Sequence, residues 1–203
     1  MTEKINMSKS VAVGLFFFRH RVLLYVPFTA AIFFIKWHKS ENLILNGIIG
    51  AALIILGSAL RFWAVRCCGK RTTYKREEGK WLTTHGPYSY TRNPLYHSNL
   101  LIGCALIMFS GLPWLIPIFV VAGYIYYHYV VLFEESRLAP QFGTPYEEFR
   151  RNVPRWLFRL TPYRPAGEIK INPWKEVYMA ERLRLLAVLI IIALIYAVGF
   201  LTK

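Results

Sequence analysis

The sequence predicts an all-α polytopic membrane protein with about five transmembrane helices and a polar pocket on its cytosolic side. Three observations lead there. Of the 203 residues, 55% are hydrophobic and the mean hydropathy is +0.34, more apolar content than a soluble core of this length requires. The apolar residues gather into five runs. The net charge of +14 falls in blocks between those runs, where lipid head groups and the positive-inside rule account for it without nucleic acid. Residues 1–203 read as a single membrane domain.

Taken in order, the N-terminus (MTEKINMSKSVAVGLFFFRHR) looks superficially like a signal peptide. Arg19, His20 and Arg21 stand where a small-residue cleavage site belongs, so the segment is read as retained. Residues 22–35 are short and contain Pro27. With Lys36 and Trp37 snorkelling at their end they just span, and residues 11–18 either add an interfacial turn or lengthen this helix. In the second run, 43–60, Gly47, Gly50 and Gly57 lie on or near one face and let another helix approach closely. Runs 95–109 and 114–133 flank Ser110-Gly111-Leu112-Pro113, a tight turn, and predict a helical hairpin. The last run, 185–201, makes residues 183–203 an extra C-terminal transmembrane helix.

Basic residues orient the spans. Loop 61–92 holds eight of them and loop 134–182 nine, against Lys36, Lys39 and Lys203 on the other side. Both long loops are therefore expected in the cytoplasm, with the N-terminus in and the C-terminus out. The abundance of Lys and the lack of trafficking signals suggest a prokaryotic inner membrane. In the second loop, Phe133–Leu138 continues the fourth span and Pro140 is expected to stop it. Thr144 as N-cap, Pro145 at the first helical position and Glu147 three residues on form a capping box for a new helix. Residues 151–182, rich in Pro, Arg and aromatics, are expected along the head-group surface. Cys67, Cys68 and Cys104 have no metal or disulfide spacing, and no metal site is expected.

The chemistry is expected where charge meets these spans, because charge beside hydrocarbon is costly unless it faces protein or ligand. Arg92 precedes Asn93-Pro94 and a helix start, whose free N–H groups favour an anion such as a carboxylate or phosphate. Tyr88, Tyr90 and Tyr96 offer faces for a cation. The bland alternative is a snorkelling arginine among interfacial tyrosines. Glu134-Glu135 shifts that balance, since acidic residues at a helix C-terminus need a positive partner. Arg137, three residues on, is the plain candidate. A cationic ligand is the sharper one. Anion donors, aromatic faces and carboxylates together suit a zwitterion that bears an extra positive charge.

These two stretches carry a family resemblance. Gly86-Pro87-Tyr88, Arg92-Asn93-Pro94, Tyr96 and Asn99, then Glu134-Glu135, Leu138, Phe142-Gly143 and Tyr146, resemble the paired signature of membrane methyltransferases related to isoprenylcysteine carboxyl methyltransferase and the phospholipid methyltransferases. The signature core is residues 86–150. The resemblance implies S-adenosylmethionine bound without a Rossmann fold in a cytosol-facing pocket, and a lipid or lipidated acceptor entering from the bilayer. It implies cofactor contacts from Tyr88, Arg92, Asn93, Pro94, Tyr96, Asn99, Glu134 and Glu135. Arg92 and the helix start at Pro94 would hold the methionine carboxylate, Glu134 or Glu135 its ammonium, and Tyr88 or Tyr96 would lie near the sulfonium. The catalytic set is expected to be Arg137, Arg150 and Tyr146, with either arginine orienting an anionic acceptor.

Asn93 replaces the more usual His of that signature, Ser98 a Gly, and Phe149 the second Tyr of the last motif. His85, His97 and His128 are the neutral bases available, and His97 and His128 read more simply as packing residues. An anionic acceptor, a prenylated cysteine carboxylate or a lipid phosphate, needs no base and is the favoured reading. A phospholipid amine is the alternative. A membrane scaffold or small transporter is the competing class; no repeat of 86–150 occurs elsewhere, which a transporter would favour.

Overall fold

The structure, a computed structural model, describes residues 8–35, 40, 42–69, 82–164, 169 and 171–201. Lys36, Trp37, Lys39 and the basic residues of 70–81 lie outside the described residues, as does the start of the signal-like N-terminus. Among the described residues there are seven α-helices and no strand. They are α1 Lys9–Arg19, α2 Tyr25–Phe34, α3 Leu43–Cys68, α4 Pro94–Phe109, α5 Ile116–Phe142, α6 Thr144–Asn152 and α7 Trp174–Leu201. Two short 3₁₀ turns, Gly86–Ser89 and Pro113–Leu115, precede α4 and α5.

Three helical segments are long and apolar enough to cross a membrane: Leu43–Cys68, Pro113–Phe142 and Trp174–Gly199. Tyr25–Phe34 and Pro94–Phe109 are apolar but shorter. At 1.5 Å per residue the ten residues of α2 reach only about 15 Å. The segment before it is a helix in its own right. α1 lies against α5, with Gly14 so close to the Tyr129 carbonyl and Phe133 that a Cβ would overlap both. α1 ends where the Tyr126 hydroxyl sits between the carbonyls of Phe17 (2.8 Å) and His20 (2.7 Å) and donates its single proton there.

α3 packs along α4 through the glycine face. A Cβ on Gly50 would meet the Phe109 ring, and one on Gly57 would meet Leu101, Ile102 and the Ser98 carbonyl. Gly47 faces Tyr196 of α7 instead. The α4–α5 hairpin closes on two facing glycines: the Phe119 ring covers Gly103, and Leu100 covers Gly123. Phe119 and Leu100 belong to one buried cluster with Tyr96, Ile107, Tyr127 and Val130.

Four local expectations are corrected. α3 does not end at 60 but runs eight residues further, because Arg61 is paired inside the protein and Arg66 lies 4.4 Å from the Trp174 ring. α5 passes through Pro140 to Phe142. A proline so near the end forfeits one backbone bond, and the turn closes anyway with Gly143 (φ +54°) donating to Ala139 at 2.9 Å. α6 is capped by Gly143 with no side-chain hydrogen bond, and Glu147 pairs with Arg150 at 2.8 Å rather than closing a capping box. α7 begins at Trp174, well before 183, so the end of the surface segment is helical.

Candidate active site

The C-terminal end of α5, the N-terminal end of α4 and helix α6 enclose a cavity of about 220 Å³ with the turn at Gly86–Ser89. Each wall follows from a local feature. Gly86 takes φ +61°, and a Cβ there would run into Cys67 Sγ, so the turn sits tightly on the end of α3. Cys68, the next residue, lines the cavity. Residues 153–163 fold back along 89–93: Arg92 N donates to the Pro154 carbonyl (3.0 Å), Arg159 N to Tyr90 (2.9 Å) and Tyr163 N to Ser89 (2.9 Å). Tyr146, Phe149 and Val153 form a small buried cluster beneath α6.

The polar lining is concentrated on one side. Arg92 and Glu135, 43 positions apart in the chain, stand 3.0 Å apart (Nη1 to Oε1) with side chains 10% and 12% exposed. Arg155 forks onto the same carboxylate, Nε to Oε1 at 3.0 Å and Nη2 to Oε2 at 2.6 Å. The Arg92 contact is an ion pair without hydrogen-bond alignment, and Arg92 Nε and Nη1 are buried with no hydrogen-bond partner. Buried guanidinium N–H groups left in that state are unfavourable.

Asn93 does not cap α4. Its Nδ2 donates to the Arg155 carbonyl at 3.0 Å, leaving the helix start without a side-chain cap behind Arg92. The Tyr96 hydroxyl donates to Glu134 Oε1 at 2.8 Å, and its ring stacks on Tyr127 with centroids 4.4 Å apart. Burial, with Cys68 beside it, holds the Tyr88 hydroxyl well above its usual range. Burial pushes Tyr146 up to about 12; the Glu135 charge adds to this and Arg92 opposes it. Both are neutral phenols at any working pH.

Of the sequence-derived residues, the cavity gathers Tyr88, Arg92, Asn93, Glu134, Glu135 and Tyr146 in its wall. Pro94 and Tyr96 stand directly behind that wall. Asn99 lies on the far side of the Tyr96–Tyr127 stack, where its amide approaches Tyr127 Oη at 3.3 Å. Arg137 and Arg150 are exposed outside the wall: Arg137 lies 6.0 Å from the Phe133 ring, and Arg150 pairs with Glu147. His97 bonds the Asn93 carbonyl at 3.0 Å through Nδ1 and packs on Trp156 and Phe158.

Residues 45–145 match the phospholipid methyltransferase family. A protein-S-isoprenylcysteine O-methyltransferase of Tribolium castaneum is 29% identical over 111 residues, 52% of this chain and 39% of that relative. The chain is similar to this isoprenylcysteine and phospholipid methyltransferase-like group. It matches well under half the length of that curated relative. With its three long apolar helices, the chain is an integral membrane protein.

The family match stops at residue 145, in the first turn of α6, and so before Arg155. Sequence reasoning missed Arg155, one of nine basic residues in its loop with nothing in its neighbourhood to single it out. It also missed the pair Arg61–Glu181, joined at 2.6 Å and almost fully buried. The only signal there was an acidic residue just ahead of an apolar run. None of His85, His97 and His128 lines the cavity.

Proposed function

We propose that this chain is an S-adenosylmethionine-dependent methyltransferase whose acceptor is an anionic oxygen, carboxylate or phosphate, of a lipid or lipidated molecule. In this reading the protein spans the membrane five times and opens its cavity to the cytoplasm. The buried Arg92 guanidinium carries the proposal. Its Nε, buried without a hydrogen-bond partner, fits an oxygen of an amino acid's carboxylate, and Glu134 and Glu135 fit the ammonium. Tyr88, Phe142 and Phe149 offer rings to the rest of the molecule. S-adenosylmethionine, when bound, supplies a methyl group already activated on a sulfonium.

The remaining work falls to position and to exclusion of water. Glu135, held through both oxygens by Arg155, fixes the angle of Arg92. Tyr96 fixes Glu134. Arg137 and Arg150, on the exposed ends of α5 and α6, meet an acceptor's negative charge as it arrives. An oxyanion is nucleophilic as it stands, and with no imidazole among the described residues of the wall the site favours it over an amine that must first lose a proton. The phospholipid methyltransferase match keeps amine methylation as a second reading.

The purified chain should bind S-adenosylhomocysteine in a calorimetric titration, and Arg92→Ala should weaken that binding about tenfold or more, the loss of a charge-assisted hydrogen bond of about 1.5–3 kcal/mol. Labelled methyl should appear in a lipid extract rather than in the protein alone, as an ester of the anionic group. A label found on nitrogen selects the second reading. Binding that ignores Arg92→Ala removes the first.

A further inference from the structure

A second charged cluster lies across the two stacked tyrosines from the cavity. Arg61 of α3 is 4% exposed and forks onto Glu181 of α7, Nε to Oε2 at 2.6 Å and Nη2 to Oε1 at 3.2 Å. Both oxygens of Glu181 are thereby engaged. A second guanidinium, Arg184, comes no nearer to that carboxylate than 3.5 Å. Asn99 Oδ1 accepts from both cations at once, from Arg61 Nη1 at 2.9 Å and Arg184 Nη1 at 3.1 Å. One carboxylate thus serves two arginines, and the remaining positive charge sits on Arg184.

Its surroundings say what faces it. Arg61 ends the uncharged stretch of α3, and Arg184 is the last charged residue of α7 before the uncharged run that starts at Leu185. The two therefore mark one depth, the edge of the hydrocarbon. The Arg184 side chain reaches inward to Asn99 yet stays 49% exposed, so the outer edge of its guanidinium is open at the surface of the bundle. A guanidinium with spare donors at head-group depth is a fork for an oxyanion.

We infer that Arg184, braced by Asn99 and the Arg61–Glu181 pair, is a lateral binding site for the phosphate or carboxylate of a membrane lipid. The site is separate from the cavity and does not depend on methyl transfer.

The test is the apparent Tm of the purified full chain in neutral detergent, titrated with phosphatidylglycerol, phosphatidylcholine or inorganic phosphate. Phosphatidylglycerol should act at a concentration at least about fivefold below phosphatidylcholine, matching roughly 1 kcal/mol per arginine at a lipid surface. Arg184→Gln should erase that preference and Lys175→Gln, on the same helix, should keep it. Should Arg184→Gln not fold, Asn99→Asp serves: it adds a second carboxylate within reach of both arginines, balances the charge left on Arg184 and should also erase the preference. Inorganic phosphate matching phosphatidylglycerol, with the same loss in Arg184→Gln, assigns the oxyanion to a water-borne source and overturns the lipid assignment. A preference that survives Arg184→Gln or Asn99→Asp overturns the site.

Discussion

Glu135 is shared between two arginines, and that decides how each of the three residues responds to change. Glu135→Ala leaves Arg92 and Arg155 together without a counter-charge in a site where Arg92 is nine-tenths buried. Removing one partner of a buried pair costs about 3–5 kcal/mol. Arg155→Ala leaves Glu135 still beside Arg92 and should cost about 1–3 kcal/mol. Thermal melts in mild detergent should therefore place Glu135→Ala below Arg155→Ala, and the reverse order would mean that the carboxylate is not the hub. Arg92, Glu134 and Glu135 were readable in the sequence because charge pressed against an apolar run is conspicuous. Arg155 was not. Its role comes from a chain reversal at 153–163, made by backbone hydrogen bonds to 89–92 that any residue types would supply. Asn99 was singled out by its motif, yet its side chain meets Arg61, Arg184 and Tyr127 rather than the cavity.

Helices were the easiest elements to read, since five apolar runs each became a helix, and their ends the hardest. Arg61 and Glu181 look like run boundaries when each is seen alone. Joined, they let α3 continue to Cys68 and let α7 begin at Trp174. The glycine face of α3 was legible by spacing. The facing pair Gly103 and Gly123 in the α4–α5 hairpin was not, because the covering Phe119 and Leu100 come from the opposite helix. These close approaches make a graded prediction. Gly103→Ala puts a Cβ inside the Phe119 ring and should cost about 1–3 kcal/mol of overpacking. Gly57→Ala meets its neighbours at 3.0–3.2 Å and should cost less. Gly199→Ala, with open space around it, should cost nothing measurable. Unfolding of the three variants in denaturing detergent gives the order.

For the whole molecule, α7 is fastened at its polar end. Asn172 bonds the Arg66 carbonyl twice, through its backbone N and its Nδ2, each at 2.8 Å, and Glu181 grips Arg61, 120 residues earlier in the chain. Either Arg61→Leu or Glu181→Leu alone strands a buried charge and should sharply lower the yield of monodisperse protein on size exclusion. The double variant, which strands none at that pair, should recover most of it. A double variant no better than the singles would show that the pair does more than cancel charge. A different consequence belongs to α5. Its uncharged stretch from Pro113 to Phe133 is about 30 Å long, and the acidic pair rides on the same continuous helix immediately beyond it. A rigid rod of that length lets the bilayer decide how high the chamber floats. In a thicker membrane Glu134 and Glu135 sink toward the acyl chains, and in a thinner one they rise into the water. A turnover confined to lipid-borne acceptors would thereby inherit a sensitivity to membrane thickness, with no separate sensor domain required.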